Sequence, residues 1–485
     1  MSWADIYPWT PPEPGRPIIR QVYDQVRAAI HLGALKPGGR LPSSRDLAAR
    51  LGVARASVVA AYDQLLAEGY AEGRTGSGTY VSGDLSGVLD VAQPQGPAPA
   101  EARPLPATAQ ALRKLALPAA PLEARTFSNG RTLMDARAMD AWGASTRRVL
   151  RHLGAEHFGY ADPAGHMGLR RAIADYLRAA RGVVCEPEQV IVTSGAQHAV
   201  DLAVRALLDP GDKVWLEDPG YPNTWQALAA AAAQGVPVPV DRSGLIISEG
   251  IARAPDARAV FVTPSHQFPL GVAMSMARRL ELIAWARQSG AWIVEDDYAS
   301  EFRYAGAPLA SLQGLDGGER VIYVGTFNKS LFPGLRLGYL VAPVALAEPL
   351  SILRRLADRQ PPSLTQAITL DFLESGQFAA HIRRRRLAYR AQRDALAEAL
   401  DRRLGDLLDV ESPDQGMHLI AYLKGGLSDC EVEARATAGG VTTRAISPMH
   451  HAAPPRNGLL LGFTGFPAKA MDAGVARLAS AVREV

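Results

Sequence analysis

The chain has 485 residues, too many for one ordinary core, so two or three domains are expected. Apolar residues make up 47% and charged residues 21%, with a net charge of only +3, so any surface for nucleic acid must be a local patch. Two cysteines, Cys185 and Cys430, exclude a disulfide framework, the opening MSWADIYPWTPPEP is no signal peptide, and no uncharged run approaches the roughly 20 apolar residues that span a bilayer. The expectation is a soluble, cytoplasmic protein with no membrane partner.

From the N-terminus, RPIIRQVYDQVRAAIHLGAL places Ile19, Val22, Tyr23, Val26, Ala29 and Ile30 at helical spacing. LPSSRDLAARLG follows as a short helix that Ser43 or Ser44 can cap and Gly52 ends. VARASVVAAYDQLLAEGY gives a second helix with Val58, Tyr62, Leu65 and Leu66 inward. Two short helices joined by a glycine-containing turn form the helix-turn-helix pattern, and YAEGRTGSGTYVS reads as a hairpin wing. Lys36, Arg40, Arg45, Arg50 and Arg55 face one acid, Asp46, which makes the local basic patch. Arg55 and Ser57 open the second helix, where base edges are reached. The same geometry also serves protein contacts, so spacing alone leaves that alternative open.

LPSSRDLAARLGVARASVVAAYDQLLAEGYAEGRTGSGTYVS resembles the GntR type of winged helix. The resemblance implies that Arg45, Arg55, Ser57 and Arg74 contact double-stranded DNA and that Gly76 and Gly78 shape the wing. The family usually has serine before the arginine that starts the second helix; here Ala54 stands there.

Residues 1–82 are thus read as a DNA-binding domain. From 83 to 121 the chain carries seven prolines in 39 residues and few large apolar groups, a composition that predicts a semi-extended linker. Beyond it the apolar strands VIVTSG, KVWLEDPGY, AVFVTPS, WIVEDDY and VIYVGTF alternate with helical stretches. That order predicts a largely parallel sheet covered on both faces over 122–345. Residues 346–485, with the long helical pattern HIRRRRLAYRAQRDALAEALDRRL and then short strands, read as a smaller α+β subdomain. Four successive arginines, Arg383 to Arg386, spread around a helix and read as a solvated face, with an auxiliary contact to DNA or the linker as the alternative.

Lys329 sits between the apolar strand VIYVGTF and a glycine-containing turn, with Arg336 seven residues on. Burial and a neighbouring cation both favour the neutral amine that a Schiff base requires. Pyridoxal phosphate also needs an anion cradle, an acid opposite its ring nitrogen and an aromatic wall. TSGAQHAVDLAV turns from a strand into a helix, so the amides of Gly195 and Ala196 can point at phosphate. WIVEDDY ends a strand with Asp296 and Asp297, and EDPGYP puts Tyr221 on a turn. Each feature alone is weak, since a strand-end lysine is usually a solvated group. The acidic pair has no nearby histidine pair, which argues against a metal site.

Together these motifs, with FGYADPAGHMGLRRAIADYLRAARGV, TPSHQFPLG and GTFNKSLFPGLRLGYL, resemble fold-type I aminotransferases. The whole chain resembles the MocR family, a GntR-type winged helix-turn-helix fused to an α/β PLP-dependent transferase fold of type I with a small C-terminal α+β subdomain. The resemblance implies Lys329 as the cofactor-binding lysine, Asp296 at the ring nitrogen and Tyr298 at the ring hydroxyl. It implies Arg336, Thr326, Asn328, Ser194, Gly195 and Ala196 at the phosphate, Tyr221 stacked on the ring, and Tyr160 reaching the site of a partner subunit, hence a homodimer. Asn328 replaces the usual serine before the lysine, and Asn223 stands where regulators of amino-acid response carry arginine. Arg444 and Arg456 both remain candidates for gripping an effector carboxylate. The function implied is a transcriptional regulator that binds promoter DNA and senses pyridoxal phosphate or an amino compound condensed with it, with vitamin B6 synthesis or amine and amino-acid metabolism under control. At most a half-reaction is expected of it. The alternative is a working aminotransferase with an attached DNA module.

Overall fold

The computed structural model describes residues 7–85, 104–114, 125–132 and 134–485. They fall into two compact units that divide between Leu105 and Pro106. Among the described residues no helix is long and apolar enough to cross a membrane.

In the front unit, α1 (Ile18–His31) buries Val22, Tyr23, Val26, Ala29 and Ile30 against α3 (Arg55–Ala67). Ile19 and Leu66, counted inward from the sequence, are instead 43% and 36% exposed. Between them α2 (Ser44–Leu51) starts where the Ser43 hydroxyl accepts the Asp46 amide, and it ends at Gly52, whose φ of 67° puts it in the left-handed region. The wing pairs β1 (Ala71–Arg74) antiparallel with β2 (Gly78–Val81), Arg74 opposite Gly78. The N-cap of α3 is Ala54, extended in backbone and with no side-chain bond to give the first turn. An Ala54→Ser substitution supplies that acceptor, so thermal unfolding of the front unit should rise by about 1 kcal/mol in stability.

The back unit is built on an eight-stranded sheet in the order β3-β10-β9-β8-β7-β4-β5-β6. These strands are β3 (Val190–Thr193), β4 (Lys213–Asp218), β5 (Gln234–Asp241), β6 (Gly244–Leu245), β7 (Ala259–Val262), β8 (Trp292–Asp297), β9 (Val321–Thr326) and β10 (Gly338–Val341). All run one way except β10 and β6. Neighbours along a strand enter opposite cores: Val214 and Leu216 pack with the helix Ala196–Leu207, whereas Trp215 packs with the helix Met276–Ser289. The carboxyl ends of β3, β4, β8 and β9 therefore share one edge, where ligands bind in such sheets.

The smaller subdomain carries a four-stranded antiparallel sheet, β11 (Leu408–Glu411), β12 (His418–Leu423), β14 (Gly458–Gly462) and β13 (Arg444–Ala445), backed by the helices Gln377–Leu404, Asp429–Ala438 and Ala468–Arg483. Of the stretch read as a linker, residues 86–103 and 115–121 lie outside the described residues. Within it, the helix Ala107–Lys114 lies against the helix Pro222–Ala230, so this part is neither extended nor structureless. The arginine run works within the unit: Arg384 and Arg385 bind Asp135 at 3.0 and 2.7 Å, and Arg386 donates to the Glu301 carbonyl at 2.6 Å.

Candidate functional site

A cavity of about 360 Å³ opens at the shared strand edge, walled on its other side by the small subdomain. Lys329, in the short helix Phe327–Ser330 that follows β9, projects into it. Burial holds the Lys329 ammonium below the usual lysine range, against the opposing pull of Asp296. The pleat of β8 separates the two candidate acids. Asp297 points away from the cavity, held by the Arg181 guanidinium at 2.8 Å and the Tyr323 hydroxyl at 2.6 Å. Asp296 lines the cavity, and its Oδ1 is buried with no hydrogen-bond partner among the described residues. Burial, with Asp297 beside it, pushes its carboxyl up to about 7, against the pull of Lys329. The Tyr298 hydroxyl on the same wall is likewise buried and unpartnered.

At the opposite end Gly195 caps the helix Ala196–Leu207 with φ 106°. A Cβ there would lie 2.7 Å from Nδ2 of Asn328, so the glycine lets that side chain close on the helix N-terminus, with a terminal nitrogen of Arg336 alongside. Asn328 does two jobs: its Oδ1 accepts the Leu337 amide at 3.1 Å, fixing the turn, while its Nδ2 faces the cradle. The Thr326 hydroxyl accepts the Asn328 amide at 3.1 Å. Arg336 lies in the left-handed region at φ 51°, a conformation that costs a non-glycine residue about 1–3 kcal/mol and here aims the cation at the cavity. Ser194 does not line the cavity; its amide is committed to Nδ1 of His198 at 3.2 Å. Of the residues expected at the phosphate, Ala196, Thr326, Asn328 and Arg336 line the cavity, with Gly195 behind them as the helix N-cap.

Tyr221 forms a side wall, edge-on to Phe268 with centroids 5.3 Å apart. Asn223 does not reach the cavity: its Nδ2 donates to the Tyr221 hydroxyl at 2.9 Å and so orients the ring. The two candidate arginines separate cleanly. Arg444 lines the cavity from β13. Arg456 does not; it lies over the Tyr422 ring at 3.2 Å and near Asp409 and Glu411. Tyr160 is 79% exposed, under the Arg359 guanidinium at 3.6 Å and outside the cavity of its own chain.

Comparison with known proteins fits both units. Residues 18–81 match the family described as bacterial regulatory proteins, gntR family, and residues 127–446 match aminotransferase class I and II. A Rhizobium meliloti protein named "Probable rhizopine catabolism regulatory protein MocR" is 41% identical over 473 residues, covering 96% of this chain and 94% of its own. The pyridoxine biosynthesis transcriptional regulator PdxR of Corynebacterium glutamicum is 34% identical, covering 91% of each chain. The chain belongs to the MocR family of transcriptional regulators. Its back unit shares the fold of the α-aminoadipate aminotransferase LysN from Thermus thermophilus, with 28% identity and a TM-score of 0.68 over 78% of this chain and 95% of that one.

On the DNA-binding unit of this MocR-family chain, Arg45, Arg55 and Arg74 are exposed and Ser57 is half-buried. Arg55 donates to the Ser44 hydroxyl at 3.1 Å, joining the starts of α2 and α3. Arg74 is paired with Glu72 at 2.7 Å and lies over the Tyr80 ring at 4.3 Å. Gly76 and Gly78 carry positive φ in the wing turn.

Sequence reasoning missed the wall supplied by Phe127, Asn129, Gly130 and Thr443. The segment FSNG carries a glycine but no periodic pattern, and its partner, Lys329, is about two hundred residues away. Gly130 has φ 70°, and a Cβ there would collide with Nζ of Lys329. Gly130→Ala should therefore weaken pyridoxal phosphate binding by at least about tenfold, read from visible absorbance on titration, while unfolding of the cofactor-free variant drops by only about 1–2 kcal/mol.

Asp296 gives a pH signature. Its folded pKa is raised, so the folded state holds a proton that the unfolded state releases between about pH 4 and about 7, and stability from this group is lost as pH rises through that window. Without cofactor, Asp296→Asn should thus match wild type near pH 4 and exceed it in thermal stability at pH 8.

Proposed function

We propose that this regulator binds promoter DNA through its winged helix-turn-helix, holds pyridoxal 5'-phosphate in the cavity on Lys329, and responds to the cofactor or to an amino compound condensed with it. The observation that carries the reading is the convergence of a desolvated amine, an unpartnered buried carboxylate and an anion cradle on one cavity. Bound pyridoxal phosphate supplies an aldehyde that condenses with amines and an electron-withdrawing ring. Asp296 would keep the ring nitrogen protonated, and Tyr298 would donate to the ring hydroxyl. Gly195, Ala196, Thr326, Asn328 and Arg336 would hold the phosphate, and Tyr221 would pack on the ring. Lys329 would hold the cofactor through its neutral amine and, when free, would hold a proton at Nζ. Arg444 would grip an acidic group on that amine. Tyr160 would complete the site of a second copy, making the working form a cytoplasmic homodimer.

The names of the relatives point to both pathways open to such a sensor, a catabolic route and pyridoxine biosynthesis. Control of vitamin B6 synthesis or of amine and amino-acid metabolism is the corresponding proposal here. The reading is tested by binding to DNA upstream of its own gene and the neighbouring gene at two salt concentrations. Arg55→Ala should cost about 1–3 kcal/mol and relax sequence preference, and equal affinity for unrelated DNA would contradict the reading. The second reading, a working aminotransferase, draws on Arg444 lining the cavity. Sustained release of a new keto acid from an amino donor would favour it; a single half-reaction would favour the sensor.

A further inference from the structure

The carboxylate of Asp218, at the end of β4 and 1% exposed, accepts three successive backbone amides from the small subdomain. His451 donates at 2.8 Å, Ala452 at 2.8 Å and Ala453 at 2.6 Å. The His451 ring stacks on Trp225 of the helix Pro222–Ala230, with centroids 3.8 Å apart and planes 23° off parallel. The clasped segment joins β13, which carries Arg444, to β14, which carries Leu460, and both residues line the cavity. Its root is packed there too, because Ile446 and Met449 share an apolar cluster with Phe268 and Leu460, on which Tyr221 and Tyr298 rest. Asp218 stands three residues before Tyr221. One buried carboxylate thus ties the wall that bears Arg444 to the wall that bears Tyr221.

Asp218 does not line the cavity, and its side-chain hydrogen-bond partners among the described residues are these three amides. Its two oxygens are met by three backbone amides, an arrangement that holds while the segment is docked and is lost when the segment lifts. We propose that Asp218 is a positioning residue that clasps residues 451–453 and keeps the small subdomain, with Arg444, shut on the large sheet, so that ligands enter and leave the cavity only when this clasp opens. The proposal rests on the reading of the cavity as the cofactor site. Amines with an acidic group would feel it most, because Arg444 moves with the clasped strand.

The test uses the full chain, first without and then with pyridoxal phosphate. Hydrogen exchange at the amides of 451–453 should be slow in wild type and at least about tenfold faster in Asp218→Ala. Stopped-flow uptake and release of pyridoxal phosphate, followed by visible absorbance, should both quicken by at least about tenfold in that variant while the dissociation constant changes less than about threefold. Should Asp218→Ala fail to fold, His451→Ala removes only an exposed ring from Trp225 and should quicken both rates by about threefold. Faster amide exchange with unchanged rates of uptake and release would overturn the gating role. Unprotected amides in wild type would overturn the clasp itself. Wild type that takes up no cofactor would instead sink the cofactor reading and the gate with it, whatever the amides show.

Discussion

Replacing Lys329 with alanine should abolish retention of pyridoxal phosphate. The wild type passed through gel filtration should keep the cofactor's visible absorbance, and borohydride should fix it on the peptide that contains Lys329. The variant should show neither, with affinity lowered on the order of a thousandfold, because the covalent link is lost and only the cradle remains. The fold should survive. Lys329 faces a cavity and is held below its ordinary pKa by burial, so its removal relieves a desolvated amine and leaves no packed core exposed. Thermal unfolding of the cofactor-free variant at or above wild type checks that point. A variant that keeps its absorbance after gel filtration would place the cofactor on another group.

The second large effect lies behind the cavity. Arg181 closes the helix Met167–Arg181 and is 6% exposed, with Nε on Asp297 at 2.8 Å and a terminal nitrogen on the Ser265 hydroxyl at 2.6 Å. Arg181→Leu leaves Asp297 charged and buried with only the Tyr323 hydroxyl to meet it. Breaking such a pair costs about 3–5 kcal/mol, so the denaturation midpoint should fall steeply. A loss below about 1 kcal/mol would mean that water reaches this pair and screens it.

What could be read from the sequence was what local chemistry dictates. The helix spacing of the front unit, the Ser43 cap and the glycine stop follow from neighbours within four residues, and each has its counterpart in the structure. Strand ends placed Lys329, Asp296 and the Gly195 turn on one edge, because parallel strands joined by crossovers must bring their carboxyl ends together. The choice between Arg444 and Arg456 was not legible, since the two are twelve residues apart in a stretch with little periodicity. Only the pairing of β13 with β14 turns Arg444 to the cavity, while Tyr422 and two acids hold Arg456 outside it. Asn223 was legible as a departure but not in its role, because the hydroxyl it meets depends on how the turn at Tyr221 folds back. Gly130 with Lys329, and Asp218 with residues 451–453, join segments about two hundred residues apart, and no local pattern announces them.

The central claim is that occupancy of the back unit alters what the front unit does, and linkage sets its terms: a ligand changes DNA affinity only by its differential affinity for two arrangements of the protein. The most direct measurement is the affinity and footprint of the purified chain on DNA upstream of its own gene, with and without pyridoxal phosphate, for wild type and Lys329→Ala side by side. The account predicts that the cofactor, alone or with an amine, changes wild type by at least about fivefold and leaves Lys329→Ala unchanged. Equal affinity and an identical footprint in every condition, with cofactor demonstrably bound to wild type, would contradict it.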